Sequence, residues 1–432
     1  MSKKIKDTII IGFALFAMFF GAGNLLLPPY IGLQIGENIA VTILAFGLTG
    51  ILLPFFGILA VVQSGNSIED LGKRIHPLLA PILGSIIMLC IGPMIAIPRT
   101  GATTFEVGIL PIFPNFNPIV AAALFFVTTW LLTISPSKVV DIIGSYLTPL
   151  LLVLLVLLVT VGIVFPLAPA TDKGLGAAPS FSLGFTEGYQ TLDVLASVIF
   201  AGIIIASANS KGYQSLKEKN SVVIKAGVLS ASCLFIIYGG LIYLGATTDI
   251  KDSSISRSSL LIHIAQSNLG VYGMYAIAVS IALACLTTAI ALTSAVGIFF
   301  SRLTNNKLSY KLLVTICCLI SGVLSISGVD KIIHFAYPPL VLVYPIVITL
   351  VLYLVLFGKS IKAKAPYIGA LIGSGIIALL TFFKQLNFFD ESTLETLHKI
   401  PLFEMDLAWI IPSIIGFIIG LLISPKKSAT TI

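Results

Sequence analysis

The chain has 432 residues, of which 57% are hydrophobic and 10% charged, with a formal net charge of +7. Its mean hydropathy of +1.08 excludes a water-soluble domain of this size, which could not hide so much apolar surface. Runs of roughly 17 or more mostly apolar residues recur from end to end, each long enough to cross the hydrocarbon core as a helix, so the expected class is an all-α integral membrane protein.

In chain order, the opening "MSKKIKDTIIIGFALFAMFF" has the basic start and apolar run of a signal peptide. The run is too long and no small-residue cleavage site follows, so it reads as a retained first span. Hydropathy predicts twelve spans, at 8–31, 40–63, 79–107, 118–134, 140–165, 190–208, 222–246, 272–300, 311–328, 333–357, 366–383 and 407–424. The joining segments are short and none could form a soluble domain. With the N-terminus inside, the inner segments carry 18 Lys and Arg and the outer ones 6. That asymmetry predicts cytoplasmic N- and C-termini. The positive excess then signals orientation and affinity for the anionic surface of the bilayer, with no nucleic acid implied.

The first span contains "FFGAGNLLLPP", residues 19 to 29. Two glycines and a double proline disfavour a continuous helix, and Asn24 is costly in lipid. Unwound backbone survives at membrane depth only where it faces protein, a cavity or a ligand. Its freed amides suit a carboxylate and its freed carbonyls a small cation. A second reading is a small-residue packing face between helices. Two further spans bear on the choice. The sixth, "LASVIFAGIIIASANS", places Ala201 and Gly202 after Phe200, a predicted second interruption. In the eighth, Ala284, Thr287 and Thr288 share a helix face and offer oxygens to a hard cation, although threonine hydroxyls also bond to their own helix backbone.

Arg99 lies within the third span, where a guanidinium must face the bundle interior, water or an acid. Glu106 and Asp193 are its candidate partners, in either a structural ion pair or a gate on the outer vestibule. The five cysteines, Cys90, Cys233, Cys285, Cys317 and Cys318, fall within spans without metal-ligand spacing to a histidine and read as core fillers.

"FALFAMFFGAGNLLLPP" together with "GPMIAIPRTGATTFE" resembles the bacterial branched-chain amino acid carriers, the BrnQ-type sodium-coupled symporters, along the whole chain. That family in turn is similar to the LeuT-like APC-type fold. The resemblance implies five-plus-five inverted repeats with discontinuous helices 1 and 6: a first repeat in 1–165, a second in 190–357, and two peripheral helices with the cytoplasmic C-terminus in 366–432. It implies that Gly21, Ala22, Gly23 and Asn24 meet the substrate, the amides of Ala22 and Gly23 taking its carboxylate. Ser197, Phe200, Ala201 and Gly202 of span six would line the same pocket. Sodium would contact Asn24 at one site and Ala17, Phe20, Ala284, Thr287 and Thr288 at another. Where the model fold has its outer-gate arginine this chain has Leu27, so the duty could pass to Arg99.

The function expected from this resemblance is import of L-leucine, L-isoleucine and L-valine across a bacterial plasma membrane. Na+ is the coupling ion and no other cofactor is implied. Proton-coupled transport of other apolar amino acids is the alternative. Glu106, Asp193 and His334, the acids and histidine that would serve it, all fall near predicted span ends, which favours sodium. No nucleophile–base arrangement suggests an enzyme.

Overall fold

The computed structural model describes residues 3–64, 79–135, 145, 147–213, 215–252, 254–403 and 407–424. Lys73, Arg74, Lys138, Lys426 and Lys427 of the charge count, and the start of the fifth predicted span, lie outside them.

The regular structure of the described residues is all helical. In chain order they form α1 (Lys3–Phe19), α2 (Ala22–Ile35), α3 (Ile39–Gln63), α4 (Pro81–Ile109), α5 (Pro118–Thr133), α6 (Thr148–Val164), α7 (Ala177–Glu187), α8 (Asp193–Ser210), α9 (Leu216–Ala246), α10 (Arg257–Leu303), α11 (Tyr310–Ser325), α12 (Val329–Phe357), α13 (Ala365–Gln385), α14 (Glu391–His398) and α15 (Ile410–Ile423). Seven of these are long and apolar enough to cross a membrane. The pair α1–α2, bent by 66° at its break, makes an eighth, and α5, α6, α11 and α15 are shorter apolar helices. Large apolar side chains such as Leu124, Val153, Leu319 and Leu422 are exposed around the outside. That surface belongs in lipid, and the protein is a multi-pass membrane protein.

The first span is interrupted where its sequence predicts. The sixth is not: α8 runs unbroken through Ala201 and Gly202. The chain breaks just ahead of α8, at a 3-10 turn (Gly188–Thr191) followed by Leu192 in the left-handed region (φ 69°, ψ 6°). The helix before that turn, α7, lies in a stretch that hydropathy assigns to a connection. Its residues, "AAPSFSLGFTE", are too small and polar to read as a span. Two other spans carry local breaks: α4 is non-helical at Gly92, ahead of Pro93, and α10 turns at Gly270 (φ 60°), so that residues 257–269 form an arm ahead of the predicted eighth span.

Both halves of the first span pack along α9. The approach is close enough that a Cβ at Gly32 would strike the backbone of Ile242, and one at Gly12 would lie 2.8 Å from Leu229. α8 lies against α3, and α13 packs mainly on α15 and α12, outside the core. Between α13 and α15, Gly369 and Gly416 admit each other's backbone, which is small-residue helix packing.

Candidate functional site

At the first break, Phe20 N–H still donates to Phe16 O at 2.8 Å, but Gly21 N–H turns back to Phe19 O at 2.9 Å. Gly21 N–H also reaches Asn24 Oδ1 at 3.2 Å, so Asn24 caps the start of its own helix. The amides of Ala22 and Gly23 are then first-turn donors without intrahelical acceptors, at the positive end of α2. Gly21 has extended dihedrals (φ −109°, ψ −162°) that any residue adopts, so what demands glycine there is space. A Cβ at Gly21 would stand 2.9 Å from Thr288 Oγ1, and one at Gly23 would stand 2.7 Å from Arg99 Nη2. A hydroxyl and a guanidinium approach these glycines, in contrast to the bare backbone at Gly369 and Gly416.

The second break meets the first. Leu192 in the left-handed region costs roughly 1–2 kcal/mol, and the turn brings the Gln190 carbonyl and Asp193, the first residue of α8, to the α2 N-terminus. Asn24 Nδ2 donates to Asp193 Oδ2 at 2.7 Å and also to the Tyr238 hydroxyl from α9. Tyr238 in turn donates to Asp193 Oδ2 at 3.3 Å. Arg99 Nη1 donates to Gln190 O at 2.9 Å, while its buried Nε has no partner. A cavity of about 20 Å³ lies between the breaks, lined among others by Phe19, Asn24, Arg99, Asp193, Phe200 and Thr288. It has room for about one water, and all six of these residues are buried.

On the other side of the first break is a cluster of oxygens without formal charge. Thr287 Oγ1 donates to Ala17 O at 3.1 Å and to Ala284 O at 2.9 Å. Thr288 Oγ1 reaches across to Ala17 O at 3.3 Å and Met18 O at 3.4 Å. Thr288 is thus directed away from its own helix: it ties the carbonyl end of α1 to α10. Oxygens of this kind suit a hard, weakly polarising cation.

The chain matches the family model described as branched-chain amino acid transport protein over residues 4–427. Two permeases of Bacillus subtilis (strain 168), named branched-chain amino acid permeases BraB and BrnQ, are 36% and 35% identical to it. The matches cover all of this chain and 99% and 100% of theirs. The chain belongs to this branched-chain amino acid transport family.

Among solved structures, a closed conformation of MHP1, a nucleobase-cation-symport-1 family transporter, aligns with a TM-score of 0.57 at 13% identity. It covers 96% of this chain and 92% of that one, a likeness of fold alone. The fold and the spans it packs explain where this family member places each predicted site residue. Gly21, Ala22, Asn24, Arg99, Asp193, Phe200 and Thr288 line the cavity, and Gly23 borders it against Arg99. Ala17, Ala284 and Thr287 join Thr288 in the oxygen cluster. The Phe20 carbonyl takes no part among the described contacts; Phe20 enters by its ring, 5.1 Å from that of Phe16 and 5.8 Å from that of Tyr238.

Four residues are not where the sequence places them. On unbroken α8, Gly202 lies about half a turn around the helix from Asp193 and Ala201 about a quarter turn. Neither lines the cavity. Ser197 donates to Val194 O of its own helix at 2.7 Å and packs on Gly57 of α3. Glu106 sits about 10 Å along the helix from Arg99. There it accepts from Ser258 Oγ at 3.0 Å and from Val329 N at 2.8 Å, stapling α4 to α10 and α12. Tyr238, Gln190 and Thr191 belong to the site and are missed by the sequence reading. A tyrosine beside two glycines amid "LFIIYGGLIYL" is the signal that could have found the first of them.

The bundle also has a clasp at each end. Beside the end of α2, the Arg257 guanidinium lies 4.4 Å over the Tyr30 ring and 3.8 Å from the Asp330 carboxylate. At the start of α1, the Tyr213 hydroxyl donates to Asp7 at 2.8 Å.

Proposed function

We propose that the chain is a sodium-coupled symporter that imports leucine, isoleucine and valine. Family membership supports branched-chain amino acid transport. The observation that carries the coupling is the oxygen cluster of Ala17, Ala284, Thr287 and Thr288, which shares the break in the first span with the cavity. A cation held there and a substrate carboxylate on the amides of Ala22 and Gly23 would each stabilise the same arrangement of α1, α2 and α10. Their affinities are then reciprocally linked.

On this reading the eight long spans and four short helices make the twelve spans of a five-plus-five inverted repeat. The second repeat begins near Ala177, and α13 and α15 are the peripheral pair. Both termini are cytoplasmic and the site is a bacterial plasma-membrane one. Alternating access proceeds by opening one clasp at a time, Tyr30–Arg257–Asp330 outside or Asp7–Tyr213 inside. A cavity that now holds about one water must widen on either route. Phe19 and Phe200, packed edge to face at 5.5 Å, give the pocket an apolar wall. Such a wall separates Leu from Val by only ~1–3 kcal/mol.

Asp193 favours a second reading. A carboxyl group buried at the crossing of two broken helices is the feature a proton-coupled carrier of apolar amino acids would need, and the sixth span's true course puts it there. Leucine uptake into proteoliposomes under separately imposed sodium and proton gradients decides between them. Accumulation driven by sodium at equal pH supports the proposal, and accumulation driven only by a pH gradient replaces it with the second.

A further inference from the structure

Arg99 and Asp193 are buried, ionisable and on the walls of one small cavity, yet neither pairs with the other. Among the described residues no ion pair joins them. Arg99 spends one of its five N–H donors on the Gln190 carbonyl, crowds Gly23 with Nη2 and leaves Nε without an acceptor. Asp193 is held by neutral donors, among them the Asn24 amide and the Tyr238 hydroxyl, both on Oδ2. Two opposite charges kept apart at such depth form a costly arrangement unless something charged completes both.

We propose that the pair divides a zwitterion between them. The substrate's α-carboxylate docks on Arg99 together with the amides of Ala22 and Gly23, and its α-ammonium docks on Asp193. The geometry matches the chemistry at each pole. Arg99 stands against Gly23, so its free donors and the positive end of α2 converge on one spot suited to a carboxylate. Asp193 sits on the same cavity beside Asn24, held by donors that an ammonium can replace in kind. A zwitterion leaves the site neutral overall and pairs both buried charges. A ligand with only one pole strands the opposite charge. The pair therefore makes the backbone of an α-amino acid the recognised unit, and the apolar wall of Phe19 and Phe200 reads the side chain.

This rests on the transport reading above, and the test keeps the two apart. Full-length protein in proteoliposomes takes up labelled leucine at saturating sodium, with two analogues as competitors: 4-methylpentanoate, which lacks the ammonium, and L-leucinamide, which lacks the carboxylate. Wild-type protein is expected to bind each analogue on the order of 100-fold more weakly than leucine. Asp193→Asn is expected to lose most of the preference for leucine over 4-methylpentanoate while keeping its preference over leucinamide, and Asp193→Glu to restore the first. Arg99→Gln is expected to do the reverse, losing only the discrimination against leucinamide. A purely structural role for either residue would move all three ligands together. If Asp193→Asn does not insert, Asp193→Ser provides the neutral variant, and Arg99→Gln tests the other pole independently. The proposal is overturned if 4-methylpentanoate competes as well as leucine in the wild type. It is equally overturned if the Asp193 variants keep full discrimination and change only the sodium requirement, which would make Asp193 a cation ligand. Absence of leucine uptake by wild-type protein would instead sink the transport reading itself.

Discussion

Two polar sites flank the break at Gly21, and they are built from opposite materials. Toward α8 the chain places a carboxylate, a guanidinium and an amide around a cavity of about 20 Å³, a wall of which Thr288 also forms. Toward α10 it places backbone carbonyls and threonine hydroxyls, none of them charged. In a low-dielectric interior, charged groups bind strongly and discriminate sharply, but leaving them unpaired is costly. Neutral oxygens hold a cation more loosely and can release it when the helices part. On the proposed function, this difference would put recognition on one side of the break and coupling on the other. A carrier needs both, because a coupling ion bound too tightly would stall the cycle.

The largest effect is expected from making the charged side unbalanced. Asn24→Asp would set a second carboxylate where an amide now donates to Asp193 at 2.7 Å. Two acids sharing the Tyr238 donor cannot both ionise, so leucine uptake should fall by on the order of 100-fold with the protein still inserted. Uptake within a few-fold of wild type would remove Asn24 from the site and blunt the comparison. Next in size is Gly23→Ala. Its Cβ would lie 2.7 Å from Arg99 Nη2, so the guanidinium must shift off the carboxylate position. We expect a loss of about 10-fold in apparent leucine affinity, with the sodium requirement unchanged. A change in sodium dependence alone would show that the two sides are not separable.

How much of this was legible in the sequence depends on what a break looks like locally. At the first one, Gly21, Gly23, Pro28 and Pro29 all disfavour a helix within nine residues, and the polar Asn24 marks the spot. The oxygen cluster was legible too, since Ala284, Thr287 and Thr288 share a helix face by spacing alone. The second break carries no glycine or proline at its sharpest point. Leu192 takes the left-handed conformation because tertiary packing imposes it, and no residue preference announces that. The small residues at 201 and 202 mimic an interruption that the helix does not have, and Asp193 stands at the first residue of α8, just after the turn at 188–192. Arg99's place in the site was open from sequence, but Glu106 and Asp193 could be separated as partners only once the helices were in position. Tyr238 was missed because a tyrosine among apolar residues ordinarily reads as packing.

On the neutral side, Thr288→Ala removes the hydroxyl that bridges α10 to the end of α1. The sodium concentration giving half-maximal uptake should rise about 5- to 10-fold, the equivalent of one lost neutral ligand. Affinity for leucine at saturating sodium should stay near wild type. Thr287→Ala should behave alike, because its hydroxyl joins the same Ala17 carbonyl. If either substitution weakened leucine binding at every sodium concentration, the cluster would belong to recognition, and the division of labour would fail.

The smallest effect is expected at the Arg257 clasp. Arg257 clasps Tyr30 by a cation–π contact at 4.4 Å and Asp330 at 3.8 Å, with the Asp330 side chain largely exposed. An exposed cation–π contact contributes about 0.5–1 kcal/mol, and an exposed ion pair no more than about 1 kcal/mol. Arg257→Ala should therefore shift the balance between closed and open states at this end of the bundle, the outer one on the proposed topology, by about 2- to 30-fold. The ligand sites are left intact, so substrate selectivity and the sodium requirement should hold. What should change is the accessibility of a cysteine placed at Ala96, on the cavity wall, to a thiol reagent added from outside, in a background whose native cysteines have been replaced. Labelling should be faster in the Arg257→Ala protein than with Arg257 present, and part of the difference should vanish in high salt as the Asp330 pair is screened. Equal labelling rates would mean that Arg257 does not close the outer end, and that the packing of Phe19 and Phe200 over the cavity does so without it.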